Sequence, residues 1–399
     1  MKTTVQSILQ EHFEAFARTH PLSVEQRQAA RCLRDCRTPA LGGHVVGCPE
    51  GHVQHVCCNS CRHRSCPQCS AYAREQWLAG WKERLVGGPH HHVVFTVPHE
   101  LIPLWRYNKR SFGDLLFRAG VESLRQLLAD AKYLGAEPGL LAALHTWDNT
   151  LLIHPHLHVM CTAGGLDAEG QWRQPQKECL LPRQVLMHKF RGKLCDLLHK
   201  ALDRGQLTVP PDTSVRAVQN LLNRLGRETW NVKIFARYEH GRGVVTYLAN
   251  YLKGGPLSNG RIIDVQQGKV RIRCREVQGV EAEGEPGRGR RRVVALPVDE
   301  FLGRLLEHVP PAGMQTVRPY GLYANSKRAD LAQARCHFGQ EPRPAAAALR
   351  WPEFCQRHGI EPAGNRTCPV CGARFVLLGS FAGGRDPPVA LGGRAEAAA

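Results

Sequence analysis

His154-Pro155-His156-Leu157-His158-Val159-Met160 is the stretch on which the reading of this chain turns. Its context is strand-like, and residues two apart in a strand share a face. His156 and His158 then project together, while Leu157 points the other way into a core. Two imidazoles at that spacing can bind one divalent ion and leave positions open for substrate oxygens. His154 has the same parity, but Pro155 disturbs the strand beside it. A histidine-rich strand edge without a ligand has the same local pattern, so the histidines need a chemical partner elsewhere.

That partner lies downstream, in Tyr247-Leu248-Ala249-Asn250-Tyr251. The spacing predicts a short helix over 244–253 with both phenols on one face. A tyrosine oxygen can attack a phosphodiester and stay covalently attached to DNA. The linkage keeps the energy of the broken bond, so rejoining needs no ATP. A phenol is a weak nucleophile at its ordinary pKa of about 10. It needs a metal to polarise the phosphate and stabilise charge in the transition state. An aromatic pair at this spacing also packs cores. The two motifs together, in a basic chain, favour the chemical reading.

Outward from these motifs, apolar periodicity predicts helices from Val5 to Phe16, over 23–36, from about Tyr72 to Leu85, over 112–128, 189–202 and 299–308. Ser23 and Gln26 form a capping-box signature for the second helix. Strands are predicted over 92–97, 150–161, 232–238, 261–265, 270–274 and 293–296, with Gly164-Gly165 ending the second. Helices and strands thus mix as in an α+β fold. Gly87-Gly88-Pro89 marks a boundary. Three segments follow: an N-terminal helical zinc-binding domain over 1–88, a catalytic domain over 89–325, and a C-terminal extension over 326–399. Residues 279–292 read as an exposed loop, and 383–399 as a disordered tail.

The chain has 16 cysteines, and they cluster: eight between Cys32 and Cys69, three between Cys355 and Cys371. Reduced, clustered cysteines point to metal. Cys61-x4-Cys66-x2-Cys69 with Cys48 is the first choice for a structural zinc site. Cys36 and His44 could extend it to two ions. Near the C-terminus, Cys355-x2-His358 and Cys368-Pro369-Val370-Cys371 suit a zinc knuckle over 355–372.

Composition limits the function. Lys and Arg number 53 against 35 acids, a net charge of +18, which favours a polyanionic partner, nucleic acid first. No apolar run is long enough for a membrane span, and the N-terminal residues lack a secretory signal, so the cytoplasm is the expected compartment. No phosphate-binding Walker loop is present, which argues against an ATP-driven helicase.

The residues match a family in many ordered blocks. These include Cys36-Arg37-Thr38, Leu41-Gly42-Gly43-His44, Asn59-Ser60-Cys61-Arg62-His63-Arg64, Cys66-Pro67-Gln68-Cys69 and Phe95-Thr96-Val97-Pro98. The histidine and tyrosine motifs follow, then Leu257-Ser258-Asn259-Gly260-Arg261-Ile262 and Arg318-Pro319-Tyr320-Gly321-Leu322. The chain resembles the two-tyrosine HUH transposases of rolling-circle insertion sequences (the IS-ninety-one type), over nearly its whole length to about Asp330. The resemblance implies a central antiparallel sheet flanked by helices. It implies Mg2+ or Mn2+ on His156 and His158, and attack by Tyr247 and Tyr251 on single-stranded DNA at the element ends. The products would be a 5′-phosphotyrosine and a free 3′-hydroxyl. A third protein ligand is usual in the family; Asp148, Asn149, His145 and His99 are the candidates. Relatives often carry Cys-x2-Cys at Cys48, where this chain has Gly51 followed by His52. A replication initiator or relaxase would use the same chemistry. A zinc-dependent DNA-binding regulator would leave the histidine strand and the tyrosine helix without a task.

Overall fold

Reciprocal caps start both N-terminal helices. Thr4 and Ser7 cap α1 (Val5–Thr19), and Ser23 and Gln26 cap α2 (Val24–Asp35). The computed structural model describes residues 2–175, 180–252, 254–275, 291–343, 349–362, 365–384 and 395–397. Most of the expected loop over 279–292 and of the expected tail over 383–399 lies outside them.

After α2 come a hairpin, β1 (Gly43–Gly47) and β2 (Gln54–Cys58), and helix α3 (Ser70–Arg84). The hairpin stands where the sequence suggested only a cysteine-rich loop. The chain continues through β3 (His90–Thr96), α4 (Ile102–Tyr107), α5 (Lys109–Leu128), β4 (Glu137–Trp147), β5 (Ile153–Leu166) and β6 (Trp172–Arg173). Next are α6 (Arg183–Asp203), α7 (Val215–Leu225), β7 (Val232–Ile234) and α8 (Arg242–Leu252). A meander of β8 (Ile262–Gln266), β9 (Lys269–Arg275) and β10 (Arg291–Pro297) leads into α9 (Val298–Glu307). The last elements are β11 (Val317–Gly321), α10 (Arg328–His337), α11 (Trp351–His358), β12 (Val376–Phe381) and β13 (Ala395–Ala397).

The central sheet has the order β11-β4-β5-β3-β7, all antiparallel, with β6 paired to β5. Both its faces are covered, and strand parity sorts the side chains between them. Phe95, Leu140, Ala142, Leu144, Leu157 and Val159 face α5 and α6 in the largest core. Leu141, Ala143 and Met160 face the other way, against Val244, Val245 and Leu248 of α8. The fold is therefore α+β, with an antiparallel sheet flanked by helices.

β5 runs through Gly164-Gly165 instead of ending there. A Cβ on Gly164 would lie 2.5 Å from the Arg173 carbonyl, and one on Gly165 would lie 2.4 Å from that of Glu137. The glycines admit neighbouring backbone; they do not break the strand. A second core joins α1 and α2 to α9 and the β8–β10 meander through Phe13, Phe16, Ile272 and Phe301. A smaller sheet, β12-β1-β2-β13, takes strands from both ends of the chain. No helix of the described residues is long and apolar enough to cross a membrane.

Candidate active site

The β4–β5 ladder sets His145 opposite His156 and Ala143 opposite His158. Residues opposite one another in a sheet share a face, so His145 joins His156 and His158 on the side covered by α8. One ring nitrogen from each lies within 4.8 Å of the others. His156 Nδ1 donates to the His154 carbonyl at 2.6 Å, which leaves the Nε2 lone pair of the neutral ring. His158 Nδ1 lies 2.8 Å from His92 Nε2. His158 Nε2 is buried, with no hydrogen-bond partner among the described residues. When Nδ1–H donates to His92, Nε2 carries a buried lone pair, which is costly unless something electropositive meets it. Beside two further imidazoles, that something fits a divalent cation.

Electrostatics agree with this donor set. Burial, more than the neighbouring imidazoles, pushes His92 and His156 down to about 4, and His145 and His158 well below the usual range. The rings are neutral near pH 7 and offer lone pairs. Of the four candidates for a third ligand, only His145 enters the cluster among the described residues. Asp148 Oδ1 accepts the N–H groups of Thr150 and Leu152, both at 2.8 Å, and so holds the β4–β5 turn. Asn149 lies in the same turn, and its carbonyl accepts from Arg261. His99 is out on the surface, 3.3 Å from the Glu100 carboxylate.

Helix α8 is laid across this face by Val244, Val245 and Leu248, which also pack near Trp77 and Trp81 of α3. Tyr247 is 39% exposed, so a substrate can reach it. Its ring centroid lies 5.3 Å from that of His92 and 5.5 Å from that of His158. Tyr251 falls within α8, and its side chain lies outside the described residues. The chain after α8 is tied to the cysteine-rich loop: Gly254 N–H donates to the Arg64 carbonyl at 2.8 Å. Gly254 has φ +106°, and a Cβ there would lie 2.8 Å from Ser70 Oγ, so only glycine fits without strain.

That loop holds the first cysteine cluster. Cys36, Cys61, Cys66 and Cys69 bring their sulfurs together, with Cys61 and Cys69 Sγ 3.7 Å apart. A tetrahedral zinc ion with Zn–S near 2.3 Å sets sulfurs about 3.8 Å apart, so the set fits zinc. Cys36 stands where the sequence suggested Cys48. It caps the C-terminal end of α2, and Gln6 Nε2 donates to its carbonyl at 2.6 Å. Arg37, at φ +57°, then turns the chain, and its N–H donates to the Asn59 carbonyl beside the loop. Cys48 ends up on the hairpin side, with His52, Cys368 and Cys371.

The expected C-terminal set divides as well. Cys368 and Cys371 stay together, but Cys355 and His358 do not join them. Helix α11 packs Trp351 and Phe354 edge-on against Tyr72 of α3, both at 5.2 Å, and carries Cys355 and His358 with it. Cys355 is buried there, and His358 Nε2 lies 2.6 Å from the Glu75 carboxylate.

Residues 139–330 match the family described as "Putative transposase", which takes in the three histidines and Tyr247. Residues 8–97 match the family described as "Transposase zinc-binding domain", which takes in the first cysteine cluster. "Putative transposase y4qJ" of Sinorhizobium fredii (strain NBRC 101917 / NGR234) is 35% identical over 394 residues, 96% of this chain and 97% of the relative. The transposase for insertion sequence element IS801 of Pseudomonas savastanoi pv. phaseolicola is 32% identical over 368 residues, 87% of this chain and 82% of the relative. No solved structure matches the chain. With a zinc-binding domain at its N-terminus and a transposase domain after it, the chain belongs to the IS91-type transposase family, whose members act on DNA.

Proposed function

We propose that this transposase nicks and rejoins single-stranded DNA at insertion-sequence ends through a 5′-phosphotyrosine, in rolling-circle transposition. The observation that carries the reading is the placement of Tyr247 beside the histidine cluster, exposed on one side and packed over His92 and His158 on the other.

The Tyr247 oxygen attacks the scissile phosphorus and gives up its proton. The bond from phosphorus to the 3′ oxygen breaks, and that oxygen takes a proton to become a 3′-hydroxyl. The segment on the 3′ side of the nick stays on the tyrosine through its 5′ phosphate. A 3′-hydroxyl from another strand reverses these steps, displacing the phenol, and no ATP is consumed. Mg2+ or Mn2+, held by His145, His156 and His158, would supply Lewis-acid polarisation of the phosphate. Burial keeps these rings neutral and able to ligate, and His92 orients His158. Tyr251, one turn on in α8, would hold a second strand. The first cysteine cluster would carry structural zinc on Cys36, Cys61, Cys66 and Cys69, steadying the loop that ties down the end of α8.

The test uses labelled single-stranded oligonucleotides from the element ends, with Mn2+ or Mg2+, on a denaturing gel. A metal-dependent adduct that survives SDS is expected. It should vanish in a folded Tyr247→Phe, Tyr251→Phe double variant. Binding without any adduct would replace this reading with a DNA-binding regulator.

A further inference from the structure

Two short segments from opposite ends of the chain have related sequences, Cys48-Pro49-Glu50-Gly51-His52 and Cys368-Pro369-Val370-Cys371-Gly372. Both fold into a tight turn closed on the first cysteine by a positive-φ glycine, three residues on in the first segment and four residues on in the second. Gly51 has φ +78° and Gly372 φ +75°. The Glu50 N–H donates to Cys48 Sγ at 3.4 Å, and the Val370 N–H donates to Cys368 Sγ at 3.4 Å. The Cys48 carbonyl accepts from Gly51 at 3.0 Å, and the Cys368 carbonyl accepts from Gly372 at 2.8 Å. Each turn thus aims a sulfur inward and gives it an N–H donor, which favours a thiolate.

The two turns face each other. Cys48 Sγ lies 3.4 Å from Cys371 Sγ and 3.5 Å from His52 Nδ1, and Cys368 Sγ lies 3.9 Å from the same nitrogen. Around a tetrahedral zinc ion, sulfurs stand about 3.8 Å apart, and a sulfur and a nitrogen about 3.5 Å apart. None of the three cysteines is in a disulfide.

The surroundings leave a need for such a clamp. Among the described residues, the apolar cluster under the turns has Cys48, Cys368 and Phe375 as its buried members, with Val53 and Ala373 packed against it. Strand β12 leaves Val376, Leu377 and Leu378 exposed at 44%, 67% and 41%. Its attachment to β1 is mostly backbone pairing, and β1 has glycine at both of its ends, where the side chains of β12 cross it. A Cβ on Gly43 would lie 2.9 Å from the Phe381 ring, and one on Gly47 would lie 2.9 Å from Leu378 Cδ1. Short strands with so little buried apolar surface need a further constraint, and metal is a common one.

We propose that Cys48, His52, Cys368 and Cys371 bind a second zinc ion, through three thiolates and His52 Nδ1, and that this ion fastens the C-terminal strand to the N-terminal hairpin. Its ligands are separated by as many as 323 residues, so the ion closes the chain end to end. The site is independent of the first cysteine cluster and of the nicking chemistry.

Zinc content of the purified full-length chain tests this. Two ions per chain are expected, falling to one in Cys371→Ser and to one in Cys61→Ser, by loss of different ions. Limited proteolysis of Cys371→Ser should release the segment that follows α11, which stays protected in the wild type. Cobalt gives a readout that survives a folding failure of the serine variant. In the cobalt-loaded protein, His52→Cys should keep two ions and change one spectrum from a three-sulfur, one-nitrogen pattern to a four-sulfur pattern. One ion in the wild type, two ions retained in Cys371→Ser, an unchanged cobalt spectrum in His52→Cys, or a Cys48–Cys371 disulfide by mass under non-reducing conditions would each overturn the proposal.

Discussion

His92 Nε2 lies 2.8 Å from His158 Nδ1, so an imidazole outside the proposed ligand set orients one inside it. With Nδ1 engaged, His158 has Nε2 left for an ion. Loss of such an outer partner typically lowers metal affinity about 10–100-fold. His92→Ala should therefore need about 10–100-fold more Mn2+ for half-saturation, followed by electron paramagnetic resonance, with the ligands still present. His92→Gln, which keeps a hydrogen-bonding group, should lose less. Equal affinity in wild type and His92→Ala would remove the orienting role.

On the same strand, His90 Nδ1 lies 2.9 Å from the Gly88 carbonyl and Nε2 lies 2.7 Å from the Tyr323 hydroxyl. The carbonyl can only accept, so Nδ1 carries the proton and Tyr323 donates to Nε2. The Tyr323 oxygen in turn accepts the Val86 N–H at 3.2 Å. Tyr323→Phe leaves a buried acceptor and a buried donor without their partner, at a cost of about 1–3 kcal/mol. Urea unfolding should show that loss, while adduct formation per folded molecule stays unchanged. A variant as stable as wild type would mean the chain is not fastened here.

Acid should weaken the fold through buried histidines outside the proposed ligand sets. Burial, above all, pushes His90 and His308 down to about 4. An unfolded histidine titrates near 6.5. Between those values the unfolded state binds the protons and the folded state does not. Stability is therefore whole above about pH 6.5 and is lost as pH falls towards 4. Each residue accounts for about 2 kcal/mol between pH 7 and pH 5. His308 Nε2 donates to the Leu151 carbonyl at 3.0 Å, and the glutamine of His308→Gln can make a similar bond. That variant should show a shallower fall in unfolding free energy over this window. A slope identical to wild type would show that His308 is not held neutral.

How much of this was legible in sequence depends on whether the partners are close in the chain. His156 and His158 carry their face in their spacing, the helix that carries Tyr247 is set by local periodicity, and the caps of α1 and α2 are equally local. Strand β4 was not legible. Leu140-Leu141-Ala142-Ala143-Leu144 is buried on both faces, so it has no alternation to separate it from a helix. Without β4 in place, His145 could not be told apart from Asp148, Asn149 and His99. The cysteines show the same limit. Spacing finds Cys61, Cys66 and Cys69, but the fourth member of that cluster is the helix end at Cys36, and Cys48 is paired with the far end of the chain. Those partners are chosen by the tertiary fold, to which spacing is blind.

Gly120 is a further case in which local propensity conflicts with packing. It lies inside α5, where glycine is about 1 kcal/mol less favourable than alanine. A Cβ at this position would lie 2.8 Å from Leu157 Cδ2 and 3.3 Å from Phe95 Cδ2. Leu157 stands between His156 and His158, so the close approach of α5 supports the strand that carries the histidines. Gly120→Val should overpack this contact and cost about 1–3 kcal/mol. It should also disturb the strand from behind, weakening Mn2+ binding although no ligand is changed. Gly120→Ala separates the two terms, since alanine gains helix propensity and adds one methyl group that only side-chain ends must accommodate. Its midpoint of urea unfolding should fall between those of wild type and Gly120→Val. If Gly120→Val unfolds at the wild-type midpoint, α5 can withdraw from the sheet freely, and its packing does not position the histidine strand.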